Sequence, residues 1–221
     1  MKAAVLTTPA DINQHPLRIE DVPKPAPEPG HVLLKVRACG VCRTDLHIVE
    51  GELPMRLEHV IPGHQIVGDV VDGATAELPA GTRVGVSWIG GTDGTCWYCK
   101  RQMENLCDAP TFTGYSVNGG YAEYALARAD FVFPLPPELD DLHAAPLLCA
   151  GIIGFRSLRV AGVEQGERVG LLDSAHRRRW RLRCFMPGSA KCTFPHEELP
   201  IVSWRNRLAP SGQEPKPKGP R

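Results

Sequence analysis

The chain has 221 residues, 43% hydrophobic and 23% charged, with 25 Lys+Arg balancing 25 Asp+Glu. That length gives room for a buried core, and the balance excludes wholesale disorder. No apolar run reaches the roughly 18 residues a bilayer span needs, and residues 1–10 show no secretory signal, so a soluble, cytoplasmic protein is expected.

Up to about Pro134 the sequence predicts short strands broken by Gly, Pro and Asp, at 32–38, 66–71, 83–88 and 121–126. A short helix is predicted at 42–49. Together these read as a mainly β, mostly antiparallel domain. After the Pro-rich stretch 133–137 the period changes: Cys149, Ile152, Ile153 and Leu158 recur at helical spacing, with Gly162 as the stop. Residues 168–172 then read as a buried strand, which after a helix would open a βαβ unit.

Beyond Asp173 neither period is predicted, and the charge reverses. Residues 1–175 hold 14 Lys+Arg against 22 Asp+Glu, whereas residues 176–221 hold 11 against 3, together with seven prolines. The last twelve residues, from Pro210, read as a solvated tail. The run Arg177, Arg178, Arg179, Arg181 and Arg183 would attract phosphate in any context. Trp180 is its only interleaved aromatic, so no specific nucleic-acid partner is expected.

Eight cysteines without an export signal read as metal ligands or free thiols rather than disulfides. Asp93-x2-Cys96-x2-Cys99-x7-Cys107 sits in glycine-rich sequence. Cys-x2-Cys places two thiolates on one tight turn, and a third thiolate with a carboxylate completes a closed tetrahedral zinc site. Cys42, His64 and Cys149 are too scattered for spacing to join them. Taken singly, His64 reads as a structural histidine and Cys149 as core packing, while Cys39-x2-Cys42 has the spacing of a redox pair.

What joins the three is a resemblance. Cys39-Gly-Val-Cys-Arg-Thr-Asp-Leu-His47 and Pro62-Gly-His-Gln-Ile-Val-Gly68 resemble the zinc-dependent alcohol dehydrogenases of the medium-chain dehydrogenase/reductase superfamily. Trp88, the metal loop, Gly120-Tyr-Ala-Glu-Tyr124 and Pro146-Leu-Leu-Cys-Ala-Gly151 follow in family order, so the likeness covers residues 1–172. It implies a GroES-like catalytic β domain over 1–148 and the start of a Rossmann dinucleotide-binding domain over 149–175.

The resemblance also implies roles. Cys42, His64 and Cys149 would hold a catalytic zinc with one corner open to a small alcohol or aldehyde, and the loop a structural zinc. Thr44 would bridge the alcohol proton to the cofactor ribose, His47 would pass it to solvent, and Trp88 would line the substrate pocket. Asp93 stands where the family has the first of four structural cysteines, and Gln65 where it usually has Glu. His15, His31, His59 and His143 have no such context.

NAD or NADP is the family's cofactor, yet its glycine turn is missing. Leu172 runs into Asp173-Ser-Ala-His-Arg-Arg-Arg, and no glycine stands between Gly170 and Gly188. The expectation is therefore a truncated or frame-shifted cofactor domain, with 176–221 a basic, Pro-rich, disordered or frame-shifted tail. The competing reading is a non-catalytic zinc-binding β domain. Neither reading fixes an oligomeric state.

Overall fold

The computed structural model describes residues 1–164 and the backbone of two further strands, Arg168–Leu172 and Arg179–Arg183. The chain forms two compact units, Met1–Ser157 and Leu158–Arg221.

The first unit is built on a five-stranded antiparallel sheet. Its strands are β3 (His31–Gly40), β4 (Gln65–Asp72), β5 (Arg83–Val86), β8 (Tyr124–Arg128) and β9 (Val132–Pro134), ordered β8-β3-β4-β5-β9. Val32, Leu34, Ile66, Val70, Val84, Val86, Ala125 and Val132 interdigitate as its main core. Each large aliphatic in that core contributes roughly 1.5–3 kcal/mol by leaving water. Pro134 is tolerated because β9 is an edge strand, where a missing N–H breaks no ladder.

Two small sheets complete the unit. β1 (Lys2–Leu6) pairs with β2 (Leu17–Asp21), and β6 (Ile89–Gly91) with β7 (Thr111–Phe112), both antiparallel. β1 and β2 are absent from the sequence expectation, because β1 is only five residues long and its outer partner is almost wholly exposed. The strand predicted at 121–126 begins instead at Tyr124. The backbone ahead of it is taken by the 61–63 loop: Gly119, Gly120 and Tyr121 donate their N–H groups to Ile61, Gly63 and Pro62 carbonyls.

Three helices matter to the chemistry. α1 (Arg43–Val49) starts one residue later than expected, with Cys42 as its N-cap. α2 (Asp141–Pro146) packs Ala144 and Ala145 against Val67 of the sheet, joined there by Leu148 just beyond its end. A π-turn, Leu147–Gly151, joins it to α3 (Ile152–Val160). Gly162 ends that helix as expected: at φ +63° it takes a conformation other residues strain to adopt, and its N–H meets the Arg159 carbonyl.

The strand expected at 168–172 is present as β10 (Arg168–Leu172). It pairs antiparallel with β11 (Arg179–Arg183), so the parallel βαβ opening is not formed among the described residues. The signal for β11 was the alternation Arg-Trp-Arg-Leu-Arg, a period of two hidden beneath the charge. Arg177, Arg178 and the expected tail from Cys184 onward lie outside the described residues. No helix among the described residues is long and apolar enough to cross a membrane.

Candidate metal centres

Cys42 caps α1 through a reciprocal box. Its Sγ accepts the Thr44 N–H at 3.3 Å, and Asp45 at the third helical position returns a carboxylate oxygen to the Cys42 N–H at 2.8 Å. The other Asp45 oxygen lies 3.2 Å from His64 Nδ1, with Asp45 2% and His64 0% exposed. A buried carboxylate there draws the ring proton to Nδ1 and turns the Nε2 lone pair outward. Nε2 faces Cys42 Sγ at 3.3 Å.

Cys149 arrives from the far end of the unit, in the π-turn after α2. The donor atoms of Cys42, His64 and Cys149 all lie within 4.8 Å of one another. Tetrahedral zinc with thiolate and imidazole ligands sets its donors roughly 3.5–3.8 Å apart. Two sulfurs and one nitrogen therefore fit three corners of such an ion. Burial, reinforced by neighbouring Cys42, pushes the Cys149 thiol up to about 12. Burial pushes Cys39 up to about 12 too, and its Sγ is packed where side chains on Gly63 or Gly120 would collide with it.

The flanking residues are placed around this cluster. Trp88 meets His64 edge-on at 5.1 Å between ring centroids and stacks on Phe112 at 4.8 Å. Thr44 and His47 stand three apart on α1, hence on one face. His47 Nδ1 contacts the Glu52 carboxylate, with its side chain one-third exposed. Gln65, 2% exposed, has its amide oxygen where a Cβ on Gly40 would stand.

The second cluster is local. Donor atoms of Asp93, Cys96, Cys99 and Cys107 lie within 4.8 Å of one another. Backbone N–H groups point at the sulfurs: Cys99 to Cys96 Sγ at 3.4 Å, Ala109 to Cys107 Sγ at 3.4 Å, and Asp93 to Cys107 Sγ at 3.5 Å. Asp93 Oδ1 accepts from Thr95 and Cys96 N–H at 2.8 and 3.0 Å. Those bonds, Cys96 first, bring its carboxyl down to about 2. The Cys99 N–H likewise lowers Cys96, whereas desolvation pushes Cys99 up to about 12.

Sequence reasoning missed Asp45. The signal was available, since Cys42-Arg-Thr-Asp45 has the spacing of an N-cap and its third helical residue. Nothing in the sequence alone joined that box to a histidine in another segment.

Comparisons with known proteins follow the same outline. The Alcohol dehydrogenase GroES-like domain matches residues 28–137. A probable alcohol dehydrogenase, AdhA, of Mycobacterium tuberculosis is 46% identical over 80% of this chain and 54% of its own length. An alcohol dehydrogenase of Geobacillus stearothermophilus is 43% identical over 77% of this chain and 50% of its own. Among solved structures, the cobalt- and zinc-bound thermostable alcohol dehydrogenase of Pyrobaculum aerophilum superposes with a TM-score of 0.68 at 28% identity, over 76% of this chain and 50% of that one. Acetophenone reductase of Geotrichum candidum, in complex with NAD, gives 0.65 at 31%, over 74% and 48%. The chain thus spans about half the length of the curated relatives it matches. Motif order and these likenesses agree: the chain belongs to the zinc-dependent alcohol dehydrogenases of the medium-chain dehydrogenase/reductase superfamily.

Proposed function

We propose that the chain supplies the zinc-binding part of an alcohol dehydrogenase acting on a small alcohol or aldehyde. Cys42, His64 and Cys149 would hold a reactive zinc, and Asp93, Cys96, Cys99 and Cys107 a structural one. The observation that carries this reading is the meeting of three donors from separate segments, with the spare histidine nitrogen tied to a buried carboxylate. Three ligands leave the fourth corner for substrate, where four would close it.

Bound there, zinc supplies Lewis-acid polarisation of an alcohol oxygen. The protein's part is to hold and to move a proton. Asp45 keeps His64 in the ligating tautomer. Thr44 would take the hydroxyl proton and His47 would deliver it outward, backed by Glu52 at Nδ1. Trp88 would wall the approach beside His64, and Gln65 adds no competing carboxylate to the donor set.

Hydride transfer also needs a nicotinamide dinucleotide. Residues 1–148 would be the catalytic domain, 149–175 the start of the dinucleotide domain, and 176–221 a tail. Pyrophosphate binding calls for a strand, a glycine turn and a helix N-terminus. Here β10 leads to an antiparallel partner, and residues 171–187 hold no glycine. That observation favours a second reading for the chain by itself, a zinc-binding β domain without turnover.

Metal analysis of the purified chain should find two zinc ions, falling to one in His64→Ala. A single ion that survives His64→Ala would refute the dispersed centre. Adding NAD or NADP with a primary alcohol should give neither saturable quenching of tryptophan nor turnover; either signal would remove the second reading.

A further inference from the structure

Cys149 is the one donor of the dispersed centre that the strands and α1 do not place. It is carried by α2 and the π-turn, and what fixes α2 is concentrated in its first residue. The Asp141 carboxylate accepts Arg37 Nε at 2.7 Å and Arg83 Nη1 at 2.8 Å. Arg37 also pairs with Asp69 of β4 at 3.2 Å, and Arg83 donates to the Pro136 and Leu139 carbonyls just ahead of α2. Two strands that flank β4, β3 through Arg37 and β5 through Arg83, thus reach the start of one short helix.

The geometry of the sheet serves this arrangement. β3 slips register against β4 between Val36 and Ala38, so Arg37 is the extra residue of a bulge. A bulge re-aims its side chain out of the regular alternation. Arg37 thereby reaches two acids on different elements. Asp141 and Arg83 are only 20% and 18% exposed, which limits screening of their bond. Beyond Asp141 the packing is apolar and smooth: Ala144 and Ala145 lie on Val67, and Leu148 fills the space over Gly85. Within α2 itself the contacts are those of two alanines, which resist sliding poorly. Two charge-assisted hydrogen bonds, one to each Asp141 oxygen, resist it better.

We propose that Asp141, gripped by Arg37 and Arg83, is a positioning residue that sets the distance of Cys149 from Cys42 and His64. It touches no ligand and acts through the helix. This rests on the three-ligand centre proposed above. Without the grip, Cys149 joins the cluster at the expense of ordering α2, and the ion at that centre is held more weakly. The loop centre shares no element with the grip and is unaffected.

Cobalt titration of the whole chain tests this, since each centre is read in one sample by its thiolate-to-cobalt absorption. Wild type should fill both centres. Asp141→Ala should weaken the dispersed centre about threefold, less than the roughly 10–100-fold lost with a group bonded directly to a metal ligand, and leave the loop centre unchanged. Asp69→Asn, which removes the other partner of Arg37, should leave both centres as in wild type. Should Asp141→Ala fail to fold, Arg37→Gln, which keeps the Arg83 arm, should weaken the same centre alone. An unchanged dispersed-centre affinity in a folded variant overturns the positioning role while the three-ligand centre stands. Absence of that centre already in wild type overturns the three-ligand reading, and the positioning role with it.

Discussion

The loop cluster draws its four donors from residues 93–107, and the backbone of the same loop supplies the N–H groups that face the sulfurs. The dispersed cluster draws three donors from a helix cap, a strand entry and a π-turn, and depends on partners that are themselves held by others. Local sequence suffices to make the first. The second exists only once the sheet has formed and α2 has docked. Disturbance should therefore spread differently in the two: a change near the loop stays there, while changes to residues that are no ligand at all reach the dispersed centre.

The largest expected effect follows from Asp45. Asp45→Asn keeps the shape of the helix cap but removes the charge that orders the His64 proton. The dispersed centre should lose about 10–100-fold in metal affinity, while the loop centre holds its own. Competition with a chromophoric chelator measures both, and equal weakening of the two centres would erase the contrast.

A smaller effect is expected on the other side. Asp93→Asn leaves an oxygen for the Thr95 and Cys96 N–H groups but withdraws one anionic donor, so loop affinity should fall by about tenfold, or about 1.4 kcal/mol. The dispersed centre should not respond. Asp93→Cys, by adding a fourth thiolate, should move the loop in the opposite direction.

The smallest effect concerns pH in the metal-free chain. Arg37 first, and then Arg83, hold the Asp141 carboxyl below its ordinary 3.8. A depressed carboxyl stabilises the fold fully above its unfolded value, and that share is lost as pH falls through the folded one. Partial exposure keeps it below about 1 kcal/mol. The difference in unfolding free energy between wild type and Asp141→Asn should thus be constant from pH 7 down to about 4 and shrink below it. A difference that grew on acidification would contradict the ion pairs.

How much was legible in the sequence divides along the same line. The loop cluster could be read from spacing alone, because Cys96-x2-Cys99 is itself a geometric statement. The dispersed cluster could not, since nothing local ties His64 to Cys149; resemblance joined them, and folding brings them within reach. Asp45 was written in its capping position, but its second partner was a long-range fact. Arg37 and Asp141, 104 residues apart, left no sequence signal at all, because a bulge is decided by the partner strand. The strand at 179–183 failed to register for a different reason. Five alternating residues were outweighed by the three arginines among them.

The π-turn at Leu147–Gly151 carries one more lesson. Pro146 closes the helix before it, and the widened turn holds one residue more than a regular winding would. Each residue of helix is a rotation of roughly 100°. Tightening the turn would therefore swing the thiol away and offer Leu148 or Ala150 in its stead, as a dial moved one notch exchanges the number in its window. A single codon lost or gained at 147 or 148 should weaken this centre without altering any of its three donors.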